Sequence, residues 1–225
     1  MVKSRPRVIL SAAMSMDGKI ATRTGNSELS SKEDLIRVHK LRATVDAILV
    51  GKNTVMIDDP MLTVKYVKGK NPTRIILDST GSIKSNSKII KTCKTIPTII
   101  AVSEKATQKN IIRLEKEGLG VIKCGQNKIN LKKLLHILRK KNIKSLLVEG
   151  GGLTNWSFIN DRLVDEIIIT ITPYVIGGSS AISLFQGKGF DKISLAPRLT
   201  LKKISRMKNE LVLHYAIQCL RSSRS

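Results

Sequence analysis

Acidic residues are scarce in this chain. Its 225 residues carry 17 Asp and Glu against 40 Lys and Arg, a formal net charge of +23. Such a balance attracts polyanions and phosphorylated small molecules through its long-range field. Aromatics are scarcer still, at 3% of the chain. The basic residues are therefore not interleaved with rings on which bases could stack, and they form only short clusters such as Lys132-Lys133 and Arg139-Lys140-Lys141. Nucleic acid is not the expected partner, although a basic nucleic-acid-binding protein stays open as an alternative. Three cysteines, Cys93, Cys124 and Cys219, stand far apart, with no Cys-x-x-Cys among them. That excludes a disulfide framework or zinc-type spacing and fits free thiols in a reducing cytoplasm. No apolar run approaches the roughly 20 residues of a membrane helix. The basic start leads into a strand-like run broken by Asp17, not into a leader peptide. His39, His136 and His214 show no metal-pair spacing. The expectation is a cytoplasmic protein with neither membrane nor metal as partner.

What is present is enough for a globular core. Apolar residues make up 41%, and Ile, Leu and Val must supply most of the packing. The length suits one domain. Extended runs are expected at residues 7–16, 19–22, 45–50, 74–77, 98–102, 119–123, 145–148 and 166–172, with a closing pair at 199–205 and 210–217. Helical segments fall between them. Ser30-Ser31-Lys32-Glu33 opens one as a capping box and it runs to about Ala43. A short turn spans 51–57. Residues 107–117 form another helix, closed by Gly118. Asn130 caps a third, whose Leu131, Leu134, Leu135 and Leu138 share one face. Strands alternating with helices imply a mostly parallel sheet covered on both faces, with the last two strands antiparallel at an edge. Residues 1–217 are expected as one domain, and 218–225 as a polar, basic, disordered tail.

Leu147-Val148-Glu149-Gly150-Gly151-Gly152-Leu153-Thr154 is the most informative stretch. An apolar strand ends in an acid, and three glycines turn the chain into a helix over 153–160. Glycines let backbone approach a phosphate closely, and a helix N-terminus favours negative charge. The acid would repel that phosphate, so it must face something else, such as a hydroxyl or a developing cation. The same pattern also fits an ordinary strand-to-helix turn with a chance acid. The spacing is not that of the dinucleotide fingerprint Gly-x-Gly-x-x-Gly.

Several segments taken together resemble the riboflavin-biosynthesis reductases. They are Ser15-Met16-Asp17-Gly18-Lys19-Ile20-Ala21, Asn53-Thr54-Val55, Asp58-Asp59-Pro60-Met61-Leu62-Thr63-Val64, Asp78-Ser79, Glu149-Gly150-Gly151-Gly152, and Pro173 with Gly177-Gly178. The resemblance covers nearly the whole chain. It implies a dihydrofolate-reductase-like α/β fold, three layers α/β/α, and a homodimer. The implied activity is transfer of hydride from NADPH, with NADH as the alternative, to ribose C1′ of 2,5-diamino-6-ribosylamino-4(3H)-pyrimidinone 5′-phosphate. The stand-alone form of the family points to that substrate, because a reductase pattern starting at residue 7 leaves no room for a fused deaminase. A reductase of the deaminated pyrimidine or of a pterin-like heterocycle is the alternative.

The resemblance also implies roles. Glu149 is the substrate-contacting acid, able to bind ribose hydroxyls and stabilise a cationic imine. Lys19 is a proton donor near the sugar, whereas Asp17 forms a turn. Thr54, Asp58 and Ser79 contact the cofactor, and Gly150, Gly151, Gly152, Leu153 and Thr154 form its phosphate-binding turn and helix start, which extends to Ser157. Asn26, Arg42, Leu62 and Lys65 hold the substrate. At the last position relatives often carry Arg, and Lys keeps the charge but loses the bidentate fork.

Overall fold

The computed structural model describes residues 4–218. A nine-stranded sheet runs through the molecule. Its strands are β1 (Arg7–Met14), β3 (Ala47–Gly51), β4 (Thr73–Leu77), β5 (Thr98–Val102), β6 (Gly120–Lys123), β7 (Ser145–Val148), β8 (Glu166–Ile171), β10 (Leu199–Met207) and β11 (Glu210–Ile217), in the order β10-β11-β8-β1-β7-β3-β4-β5-β6. The seven strands from β8 to β6 pair in parallel, and β11 and β10 close one edge antiparallel. A small second sheet joins β2 (Lys19–Ala21) to β9 (Ile182–Ser183).

The central strands are apolar on both faces because both are covered. In β3, Ala47 and Leu49 point to one side and Ile48 and Val50 to the other. The first side packs on α5 (Leu131–Lys140) and α6 (Gly152–Asn160), through Leu134, Leu135, Leu138, Phe158 and Ile159. The second packs on α2 (Lys52–Asp58), α3 (Lys88–Lys91) and α4 (Gln108–Lys116), through Val55, Ile89, Ile90 and Leu114. Next to these, Ile9, Val45 and Leu147 meet Leu41 of α1 (Lys32–Arg42). The result is the three-layer α/β/α arrangement expected from the alternation of elements. Each wholly buried Leu or Ile contributes on the order of 1.5–3 kcal/mol, so aliphatic packing compensates for the shortage of rings.

Most differences from expectation lie at element ends. β1 stops at Met14, not 16, because Ser15 and Asp17 build a turn: Ser15 Oγ donates to Asp17 (2.7 Å) and accepts from Lys19 N–H (2.9 Å). Asp17 also accepts from the Ile176 and Gly177 amides, which together with Ser15 hold its carboxyl down at about 2. It is a latch between loops, in keeping with a turn-forming role. The α1 capping box is displaced by one residue. Ser31 is the N-cap, accepting from Asp34 N–H at 3.2 Å, and its own N–H goes to Glu210 of β11 at 2.9 Å. Asp34, wholly buried, takes the Ser30 and Thr170 hydroxyls and the Arg37 guanidinium. The single-turn α3 and the strand β9 went unread, since one is too short for periodicity and the other exists only through pairing with β2. Of the expected tail, Gln218 is ordered, donating its N–H to Arg198 O at 3.0 Å; residues 219–225 lie outside the described ones.

Candidate active site

From β3 the chain moves outward to β4, and from β7 it moves the opposite way to β8. The two strands are neighbours, so their departing loops separate and leave a crevice at the carboxyl end of the sheet, where open α/β folds take ligands. A cleft of about 690 Å³ opens there. Its floor is the ends of β1, β3, β4 and β7, and its walls are α1, the start of α2, the glycine turn into α6 and the loop around Gly25 and Ser27.

One half of the cleft is the glycine turn. Gly150 has φ +99°, which only glycine adopts readily, and its peptide to Gly151 is cis. Gly150 O accepts from Gly51 N–H at 2.9 Å, and Gly151 N–H donates to Thr54 Oγ1 at 3.0 Å. The turns after β3 and β7 are thus bonded to each other. Their approach is close enough that a Cβ on Gly51 would lie 2.6 Å from Thr154 Oγ1. Gly151 is the N-cap of α6, and no side chain caps that helix. Its first-turn amides have no intrahelical acceptor and point positive charge at the cleft. Across from it, Lys52 Nζ donates to Ser82 Oγ (3.1 Å) and lies 3.7 Å from the buried Asp78 carboxylate.

The other half is an ion pair. Glu149 leaves β7 and receives the Arg42 guanidinium as a two-pronged fork, Nε to Oε1 at 2.8 Å and Nη2 to Oε2 at 2.6 Å. Their side chains are 12% and 15% exposed. Burial alone would lower the Arg42 pKa, but Glu149 outweighs it and the net shift is upward. Arg42 Nη1 also donates to Thr63 O (3.1 Å), which ties the Asp58–Val64 loop to the pair. That loop has left-handed residues at Asp59 (φ +39°) and Leu62 (φ +51°). It is held from beneath by Arg74, which is wholly buried and donates to Met61 O, Ile89 O, Ile96 O, Thr92 and Thr98. With no carboxylate beside it among the described residues, burial brings Arg74 down to about 10.

The cleft gathers Glu149, Arg42, Thr54, Asp58, Ser79, Gly151, Gly152, Leu153 and Thr154. Partial burial raises the Asp58 carboxyl pKa, against a Ser27 hydrogen bond that lowers it. Six of the expected residues are not on the wall. Gly150 is buried beneath the turn. Leu62 turns its side chain into the core, 3% exposed, because its left-handed backbone reverses the chain there. Lys65 is exposed, its N–H bonded to His39 Nδ1 (2.8 Å) and its ammonium 5.5 Å from the Tyr66 ring centre. Asn26 closes a turn through Glu28 N–H. Lys19 Nζ donates to Ser183 Oγ at 3.1 Å, while its neighbours Ile20 and Ala21 do line the cleft. Ser157 bonds back to Leu153 O, a local helix contact. Wall residues that sequence reading missed include Lys52, Thr80, Gln186 and Ser11. Position just after a core strand is a signal that could have found Lys52.

A mostly parallel α/β/α sheet with its cleft at this switch point is the fold of dihydrofolate reductase: the Enterococcus faecalis enzyme superposes with a TM-score of 0.51 over 95% of this chain and 97% of its own, at 11% identity. Residues 6–213 match the RibD C-terminal domain, and the chain belongs to that family. It is 42% identical over 217 residues to the 2,5-diamino-6-ribosylamino-4(3H)-pyrimidinone 5′-phosphate reductase of Methanothermobacter thermautotrophicus, covering 95% of this chain and 99% of that one. Among solved structures, RibD of Acinetobacter baumannii superposes with a TM-score of 0.83 at 25% identity, over 96% of this chain and 59% of that longer protein.

Proposed function

We propose that this protein is a riboflavin-biosynthesis reductase. It transfers hydride from NADPH, with NADH as the alternative donor, to ribose C1′ of 2,5-diamino-6-ribosylamino-4(3H)-pyrimidinone 5′-phosphate and yields the ribitylamino product. The observation that carries this reading is the juxtaposition, in one cleft, of an uncapped glycine-turn helix start with an Arg-held carboxylate. The M. thermautotrophicus relative, matched over nearly its full length, bears the name of this activity.

The donor set fits a phosphorylated dinucleotide. The α6 amides and the Thr54, Thr154 and Ser79 hydroxyls suit phosphate and ribose, and Lys52 adds a cation opposite them. When bound, a reduced nicotinamide supplies the hydride. The remaining work belongs to side chains. The Arg42 fork fixes Glu149 in one orientation, and each carboxylate oxygen keeps a lone pair for a substrate hydroxyl. Its negative charge stabilises the cation that develops at C1′ as the sugar opens. Lys19, in the strand that carries cleft-lining Ile20 and Ala21, supplies a proton to the ring oxygen. Lys65, two residues beyond the Thr63 carbonyl that Arg42 holds, takes the substrate phosphate; Asn26 acts from the loop of cleft-lining Gly25 and Ser27, and Leu62 through its backbone. The exposed Leu199, Leu201, Ile204 and Leu211 of the terminal hairpin support a homodimer. Among the described residues no helix is long and apolar enough to cross a membrane, and the proposed compartment is the cytoplasm.

The test is absorbance at the reduced-nicotinamide band with purified protein, NADPH or NADH, and freshly made substrate. Substrate-dependent oxidation giving the ribitylamino product is expected. Oxidation only with the deaminated pyrimidine would move the reaction to that substrate, and none with either from folded protein would overturn the reading.

A further inference from the structure

Four buried side-chain oxygens among the described residues have no hydrogen-bond partner: those of Ser11, Ser87, Glu117 and Asn155. Two of these residues, Ser11 and Asn155, line the cleft. Ser11 is 3% exposed, in the middle of β1. Other buried hydroxyls nearby are bonded, Thr170 to Asp34 (2.6 Å), Thr172 to Met14 O (3.0 Å) and Ser15 to Asp17 (2.7 Å). The orphan is therefore a local exception, and buried polar groups without partners in a binding cleft are accounted for when a ligand supplies the partner.

Strand register says what lies beside it. Leu10 of β1 is opposite Val148 of β7, and Ser11 is opposite Ile168 of β8. Ile9 and Leu147 pack together with Leu41 and Ile168 on the α1 side of the sheet. Alternation by two then carries Ser11 and Glu149 to that same side, one residue beyond the last paired position. The next residues of β1, Ala12 and Ala13, are small and also line the cleft. On the Ser11 side the next residue of β1 is Ala13, so the Ser11 hydroxyl is not covered by a large side chain of its own strand.

We propose that Ser11 is a further substrate-binding residue, whose hydroxyl bonds a sugar hydroxyl of the ribosyl substrate held against Glu149. The proposal rests on the reductase reading. A hydroxyl both donates and accepts, which suits another hydroxyl, whereas Glu149 disfavours an anion at this point. Asn155 carries less weight, because its Nδ2 already donates to Leu184 O at 3.0 Å and its replacement would also break that bond.

The experiment is steady-state kinetics of Ser11→Ala beside wild type, with melting temperatures of the cofactor-free proteins in the presence and absence of substrate. The KM for the ribosyl substrate should rise roughly 2- to 15-fold, as loss of one buried hydrogen bond predicts. The KM for NADPH should not move. The melting temperature without substrate should hold or rise, because an unpaired buried hydroxyl is being removed, while its increase on adding substrate should shrink. Active Ser11→Ala with an unchanged substrate KM would overturn the inference and leave the reductase reading intact. A drop in melting temperature with both KM values altered would make Ser11 structural and overturn it too. Wild type inert toward the substrate would instead overturn the reductase reading, and the inference with it.

Discussion

Arg42 and Glu149 come from elements 107 residues apart and meet as a two-pronged fork, at 2.8 and 2.6 Å, under one wall of the cleft. Read separately from the sequence, each was a substrate contact; joined, they are one unit. Glu149→Gln keeps the side chain's shape but removes the charge that Arg42 faces. Turnover should fall by about 100-fold or more, the scale of a lost charged group at a reaction centre. Circular dichroism should show the fold retained. A wild-type rate would remove Glu149 from the chemistry.

Thr54→Val deletes the acceptor for Gly151 N–H. One buried hydrogen bond is worth about 0.5–1.5 kcal/mol, so the KM for the reduced cofactor should rise by roughly 2- to 15-fold with little change in the KM for the pyrimidine. Equal changes in both would show that the glycine turn is not a cofactor site.

Gly51→Ala puts a methyl 2.6 Å from Thr154 Oγ1. It should destabilise the protein by about 1–3 kcal/mol, as overpacking does. Thr154→Ala in the same chain removes the obstructing oxygen, so the double variant should be more stable than Gly51→Ala alone. Urea denaturation of all four proteins gives the coupling, and strict additivity would mean that the two residues do not compete for space.

The same strands that form the cleft floor were legible because buried strands read as unbroken apolar runs; Val45 to Val50 and Ser145 to Val148 could be little else. Glu149 stood out because an acid directly before three glycines is chemically incongruous. Ser11 did not, since one serine in an apolar strand carries no visible signal until the strands on either side are known. Leu62 and Lys65 belong to a motif that reads as a single unit. A left-handed residue in its middle sends Leu62 inward and leaves Lys65 outside, and no hydropathy pattern encodes that reversal.

Arg74→Met should cost about 2–4 kcal/mol, because Ile89 O and Thr98 Oγ1 lose a buried donor and Met61 O loses a part-buried one, while Ile96 O keeps the Thr98 hydroxyl. Thermal denaturation measures the loss. Activity should fall further than stability accounts for, since Met61 belongs to the loop that positions Arg42.

His39 gives the protein an acid-sensitive contact. Its Nδ1 accepts from Lys65 N–H, so the ring is neutral there, and burial first, then Arg42, keep its pKa below the ordinary value near 6.5, with Glu149 opposing. The unfolded chain takes up a proton first as pH falls. The stabilisation is therefore complete above about pH 6.5 and is lost as the pH drops through the folded-state value. His39→Asn retains an acceptor that does not titrate, and its melting temperature between pH 7 and 5 should fall less steeply than wild type's. Parallel profiles would assign the acid sensitivity to other groups.

The N-terminus of α1 is completed from far away, by Glu210 holding both the Ser31 amide and its hydroxyl. Leu35, Val38 and Arg42 of that helix form a wall of the cleft. During synthesis, then, a ribosome will have released the whole parallel sheet before the wall can be locked. Asp34 and Arg37 already tie α1 to Thr170 of β8, and β11 adds the last contacts, so the terminal hairpin completes a wall begun by the parallel sheet.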